Sequence, residues 1–115
     1  MSSQIKDSQY VFDMTTLETQ RADRGGPWLE FLRVPSMYGG VYHLPAGSRD
    51  GQSPHTEDEV YYVHSGKSKF HMDGNEFDVA PGMVLFVPAN RKHYFHEIVE
   101  DLTLLVFFSN GPVAE

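Results

Sequence analysis

The chain contains no cysteine. Disulfides and thiolate ligands are therefore excluded, and any bound metal must be held by nitrogen and oxygen donors. Basic residues are also scarce: nine Lys and Arg stand against sixteen Asp and Glu, a formal net charge of −7, and only Arg91 and Lys92 are adjacent. Nucleic-acid binding draws much of its affinity from neutralising phosphates, so this balance argues against that class. No apolar run approaches the roughly 20 residues that span a bilayer. The opening MSSQIKDSQY lacks the basic-then-apolar order of a signal peptide. The expectation is a cytoplasmic protein that meets neither membrane nor nucleic acid. Also missing are a Gly-x-Ser-x-Gly elbow, a phosphate-cradling loop, a dinucleotide fingerprint and His-Glu-x-x-His.

What is present is a short chain, 115 residues, 40% hydrophobic and 13% aromatic, enough for one globular domain. Residues 1–27 are mostly polar, with isolated Val11, Phe12 and Leu17. They read as a loosely ordered tail or dimer-contacting arm that contributes one strand to the body or to a partner subunit. Beyond Gly25-Gly26-Pro27, branched and aromatic runs alternate with turn signals. Trp28–Val34, Tyr38–Leu44 and Val60–Val63 read as strands, the last closed by Ser65-Gly66. Lys69–Met72 and Asn75–Val79 flank Asp73-Gly74, the signature of a hairpin whose turn needs positive φ at both centres. Met83–Val87, His93–Val99 and Leu102–Phe108 complete the set, with Glu100-Asp101 dividing the last two and 110–115 left as a C-terminal tail. No amphipathic helix of ten or more residues stands out beyond the tail. Short strands at this spacing indicate an all-β sandwich or barrel. Met83–Val87 and Leu102–Phe108 are apolar at odd and even positions alike, the pattern of strands buried on both faces. A second copy of the chain would cover the outer face, so a homodimer is expected.

The densest chemistry lies in Gly47–Gly66, GSRDGQSPHTEDEVYYVHSG. Placed two apart, Ser53, His55, Glu57 and Glu59 would share one face of an extended strand. Imidazoles and carboxylates on one face suit a divalent metal, and His93 supplies a second imidazole at the end of another apolar strand. His93 and His96, three apart in a strand, should point oppositely.

These residues resemble the motifs of the cupin superfamily, specifically its small single-domain conserved-barrel members. The first motif is a Gly, five residues, His, one, His, three or four, Glu, six, Gly; here Gly47, His55, Glu59 and Gly66 keep the spacing, and Ser53 stands where the first histidine would be. The second runs Gly, five residues, Pro, one, Gly, two, His, three, Asn; here Gly82, Pro88 and His93 match, with Asn90 at the glycine and Glu97 at the asparagine. The likeness covers about residues 28–109 and implies a double-stranded β-helix (jelly-roll) barrel with a metal near one mouth.

It further implies His55, Glu59 and His93 as ligands. Two imidazoles and one carboxylate suit iron(II) first, then manganese, nickel or zinc, and leave positions open for substrate. Ser53, a feeble donor, is expected to hold a water rather than the metal. Glu57 and Tyr61 are candidates for moving a proton, and His43, Phe86, Phe95 and Phe107 for lining the pocket. The resulting expectation is a metal-dependent enzyme, dioxygenase-like or else a lyase or isomerase, acting on a small organic molecule. The rival is a binding or sensor module without turnover.

Overall fold

The computed structural model describes residues 10–51 and 54–110. Residues 1–9, Ser53 and most of the C-terminal tail lie outside that range. More than half of the described residues are in strands, and the elements run α1 (Met14–Arg24), β1 (Trp28–Val34), β2 (Met37–Leu44), β3 (Glu59–Met72), β4 (Asn75–Val79), β5 (Val84–Val87) and β6 (His93–Ser109). All strand pairs are antiparallel, in the order β1-β2-β6-β3-β4, with β5 also paired to β3.

The two long strands give the barrel its shape. The first half of β3 pairs with β5 and the last third of β6; its second half pairs with β4 and the start of β6. Ser65-Gly66 and Glu100-Asp101, expected to end strands, instead lie inside β3 and β6. Register shifts between Val63 and Lys69 bend the ladder there without breaking it. Turn chemistry bends a strand as readily as it terminates one. The expected hairpin holds, with Met72 opposite Asn75 and positive φ at Asp73 (51°) and Gly74 (84°). The fold is the double-stranded β-helix barrel the motifs imply. Its core is inward-facing Tyr61, Val63 and Phe70 of β3 against Phe95, Leu102, Leu104 and Val106 of β6.

The tail differs from expectation. Residues 14–24 form a helix rather than a strand: Asp13 caps it by accepting from the Thr16 amide at 2.9 Å, and Gly25, at φ 69°, donates to the Arg21 and Ala22 carbonyls. The helix is hard to read in the sequence because its apolar stripe is only Met14 and Leu17. Leu17 alone is fully buried, against Leu29 and Val41, and this patch also takes in Leu105 from the outer face of β6. The chain's own helix thus covers part of the surface expected to need a second copy. The Met83–Val87 strand is not buried on both faces in the single chain, since Val84 is 65% and Phe86 55% exposed.

Candidate metal centre

Glu59 opens β3 and His93 opens β6, and both side chains point into the barrel at one mouth, about 1% exposed. His55 is not on a strand. Residues 54–58 form a loop, so the extended face expected through His55, Glu57 and Glu59 is not formed, and Ser53 lies outside the described residues. The loop is stitched down instead: the Asn90 amide donates to the His55 carbonyl at 2.6 Å, and the Ala89 amide donates to the Asp58 carboxylate at 2.9 Å. Asn90 holds φ 65° where the motif has glycine, a left-handed conformation that asparagine tolerates better than most residues.

Together these elements bring one donor atom each from His55, Glu59 and His93 within 4.8 Å of one another. His93 Nδ1 lies 2.8 Å from the Arg91 carbonyl and can only donate to it, which leaves Nε2 facing the site. His93 Nε2 is 3.0 Å and His55 Nε2 4.0 Å from Glu59 Oε1. At 3.0 Å the distance would suit an ion pair, yet the alignment is not that of a hydrogen bond. Among the described residues, both Glu59 oxygens and His93 Nε2 are buried with no hydrogen-bond partner. A buried carboxylate left so is costly, and a cation bound between the three side chains would satisfy all of these atoms at once. The donor set and the orphaned atoms fit a divalent transition metal. Burial works to lower the His93 pKa; the Glu59 carboxylate and the Arg91 carbonyl at its two nitrogens outweigh that, and the net shift is upward.

The cupin-domain family profile matches residues 40–108, more than half of the sequence. The chain belongs to the cupin family. An uncharacterised protein of Streptomyces coelicolor is 46% identical to this cupin over 99 residues, covering 86% of this chain and 94% of its own. The crystal structure of TT1209 from Thermus thermophilus superposes with a TM-score of 0.71 at 24% identity, covering 89% of this chain and 98% of that one. A DMSP lyase of Ruegeria pomeroyi gives 0.64 at 23% identity over 71% of this cupin, which spans only 42% of the lyase. Identities this low bear on the fold alone.

The remaining site candidates of the cupin scatter. Glu57 stays outside the three-residue group and accepts from the Tyr38 hydroxyl at 3.3 Å. Tyr61 shares the inner face with Glu59 but lies deeper, 0% exposed, its ring 5.0 Å from Phe95 and 5.9 Å from Phe70. Phe95 belongs to that same core cluster. His43 is on the outer face beside Thr103, and Phe107 packs outward against Phe31. Phe86 is an exposed outer residue of β5. His96 does point away from His93, pairing with Glu76 at 2.6 Å.

The cavity that reaches His55 and Glu59 has a volume of about 290 Å³. Its walls are Trp28, Tyr38, Tyr42, Val106 and Phe108, none of which stood out in the sequence as pocket residues. The signal was there: Tyr38, Gly40, Tyr42 and Leu44 alternate along β2, and two of these line the cavity. Asp50 was missed too. It accepts from the Tyr42 hydroxyl at 2.8 Å and the Phe95 amide at 3.0 Å. Burial first, and then the Asp50 carboxylate, push the Tyr42 pKa far above the usual phenol range, so Tyr42 is a neutral donor. A larger cleft of about 740 Å³, between Gly47–Asp50 and Tyr94–Val99, does not include the three candidate ligands.

Proposed function

We propose that this cupin binds one divalent transition metal through His55, Glu59 and His93, iron(II) first, and is a metal-dependent enzyme acting on a small organic molecule. The observation that carries the reading is the set of buried atoms without a hydrogen bond on Glu59 and His93, facing the same space as His55. With two imidazoles and a carboxylate, such an ion supplies Lewis acidity and, as iron(II), access to dioxygen chemistry. The chain's own residues do the rest. The Arg91 carbonyl holds the His93 tautomer, Asp50 holds the Tyr42 hydroxyl at the cavity wall, and Phe108, with its ring 5.2 Å from His55, keeps that side dry. Glu57, which accepts from the Tyr38 hydroxyl of the cavity wall, is the candidate for carrying a proton to and from the cavity. Untagged protein loaded anaerobically with iron(II), then desalted, is expected to retain about one metal per chain by mass spectrometry. Less than a tenth of that, with iron, manganese, nickel and zinc alike, would refute the centre.

We also propose a homodimer. Val60 and Tyr62 of β3, Val84 and Phe86 of β5 and Leu105 and Phe107 of β6 are in register on the outer face. Tyr62, Val84 and Phe86 are well exposed, and none of the six carries a charge in a chain of net −7. Two copies can therefore meet there without opposing carboxylates. Sedimentation at micromolar concentration is expected to give twice the chain mass for the natural sequence and a monomer for Phe86→Asp. A monomeric natural chain would refute the dimer.

A further inference from the structure

We propose that Trp28 is the specificity-determining wall of the cavity, and that it selects an acid whose apolar body is about the size of one ring. The proposal deepens the metal-centre reading and rests on it for the acid head alone.

The cavity is charged at its two ends and apolar between. At the floor lie His55 and Glu59; at the rim, Glu30 and Arg33 neutralise each other through two hydrogen bonds, Nε–Oε2 at 3.0 Å and Nη2–Oε1 at 2.7 Å. That pairing depends on a bulge. The register shift between Glu30 and Leu32 puts residues three apart on one face of β1. The Arg33 guanidinium also lies 4.3 Å over Tyr38, whose ring stacks on Phe108 at 4.8 Å. Arg33, Tyr38 and Phe108 are thus layered as a fixed stack, and its rim charge is already balanced. A ligand gains little there by carrying a charge at its outer end.

Trp28 closes the other side. Its ring meets Tyr42 and Phe108 edge-on, at 6.4 and 6.3 Å. It can lie there because residue 40 is glycine: a Cβ at Gly40 would be 2.5 Å from the indole and 2.6 Å from the Leu29 carbonyl oxygen. Trp28 is therefore seated by the backbone of β2 and is 38% exposed, with surface left to offer. About 290 Å³ is at the small end of ligand cavities, which run from about 300 Å³ upward, so the apolar portion admits one ring and little more.

Mandelate and lactate make a matched pair of probes, because they share an α-hydroxy-acid head and differ only as phenyl against methyl. Calorimetric titration of the metal-treated protein is expected to show mandelate binding at least tenfold more tightly than lactate. Trp28→Ala should erase that preference while leaving lactate within twofold, and Trp28→Phe should retain part of it, which decides the matter if Trp28→Ala does not fold. Equal affinities in the natural protein, or a parallel loss of both ligands in the variants, would overturn the proposal. Metal content measured on the same samples separates the two readings. A mandelate preference that depends on Trp28 without retained metal keeps the wall and discards the centre; retained metal without the preference does the reverse.

Discussion

Glu59→Gln is expected to abolish retained metal and, in metal-free protein, to leave stability unchanged or raise it by about 1 kcal/mol. The two halves of that result have one cause. Glu59 is the anionic member of the three-residue group, and it sits at the start of β3 almost fully buried, with neither oxygen in a hydrogen bond. Altering groups that merely orient a ligand costs metal affinity about 10- to 100-fold, so loss of a direct ligand should cost at least that. His93→Ala should lose metal equally.

Without metal, the Glu59 carboxylate is buried with no hydrogen bond, and a neutral amide of the same shape relieves that desolvation while giving up only the misaligned attraction for a protonated His93. An ordinary buried ion pair between His93 and Glu59 would behave oppositely, the substitution costing about 3–5 kcal/mol in metal-free protein. Urea denaturation with and without metal therefore separates the cases. The natural chain should gain about 4 kcal/mol at free metal a thousandfold above Kd, and the variant nothing. Acid should weaken metal binding as well. The upward shift of His93 means that it keeps its proton to a higher pH than an ordinary imidazole, and the metal must displace that proton.

How far the sequence could be read depended on whether a residue's role was local. The grouping of His55, Glu59 and His93 was legible because motif spacing survives any detail of backbone path. His55 lies on a loop and not on the strand inferred for it, yet the loop, pinned by the Asn90 and Ala89 amides, still brings a His55 donor atom within 4.8 Å of those of Glu59 and His93. The Asp73-Gly74 hairpin was legible because two residues suffice to specify it. The cavity walls were not, since a wall is set by which face of a strand points inward. Phe107 and Phe108 are adjacent and equally aromatic, yet only Phe108 lines the cavity that reaches His55. Register decides between them, and register is a property of the pairing with β2 and β3. Trp28 was hidden for a related reason: its seat is Gly40, on another strand. The helix was hidden because one buried leucine and a good cap hold it, with no repeating stripe.

Gly66 is where fold and motif meet, and Gly66→Ala is expected to cost about 4 kcal/mol or more, lowering Tm by about 15 °C or more. Gly66 lies inside β3 at φ 101°, a conformation L side chains rarely adopt. A Cβ there would also run into the Asp101 carbonyl oxygen and come within 2.6 Å of the Leu102 Cα. Those atoms belong to the middle of β6, where it crosses the bend in β3, so they are backbone and cannot swing aside. The bend is what lets one strand serve both faces of the barrel and carry Glu59 back towards His93. Gly47, the other glycine of the same motif, is the internal control. It too has positive φ, 82°, but a Cβ added there would meet nothing within 4 Å. Gly47→Ala should therefore cost only the left-handed backbone penalty, about 1–2 kcal/mol. Urea midpoints of the two metal-free variants decide the point, because without metal neither can be rescued or penalised through the centre. Equal losses would mean that backbone conformation alone requires glycine at both positions, and that the close crossing of β3 over β6 adds nothing.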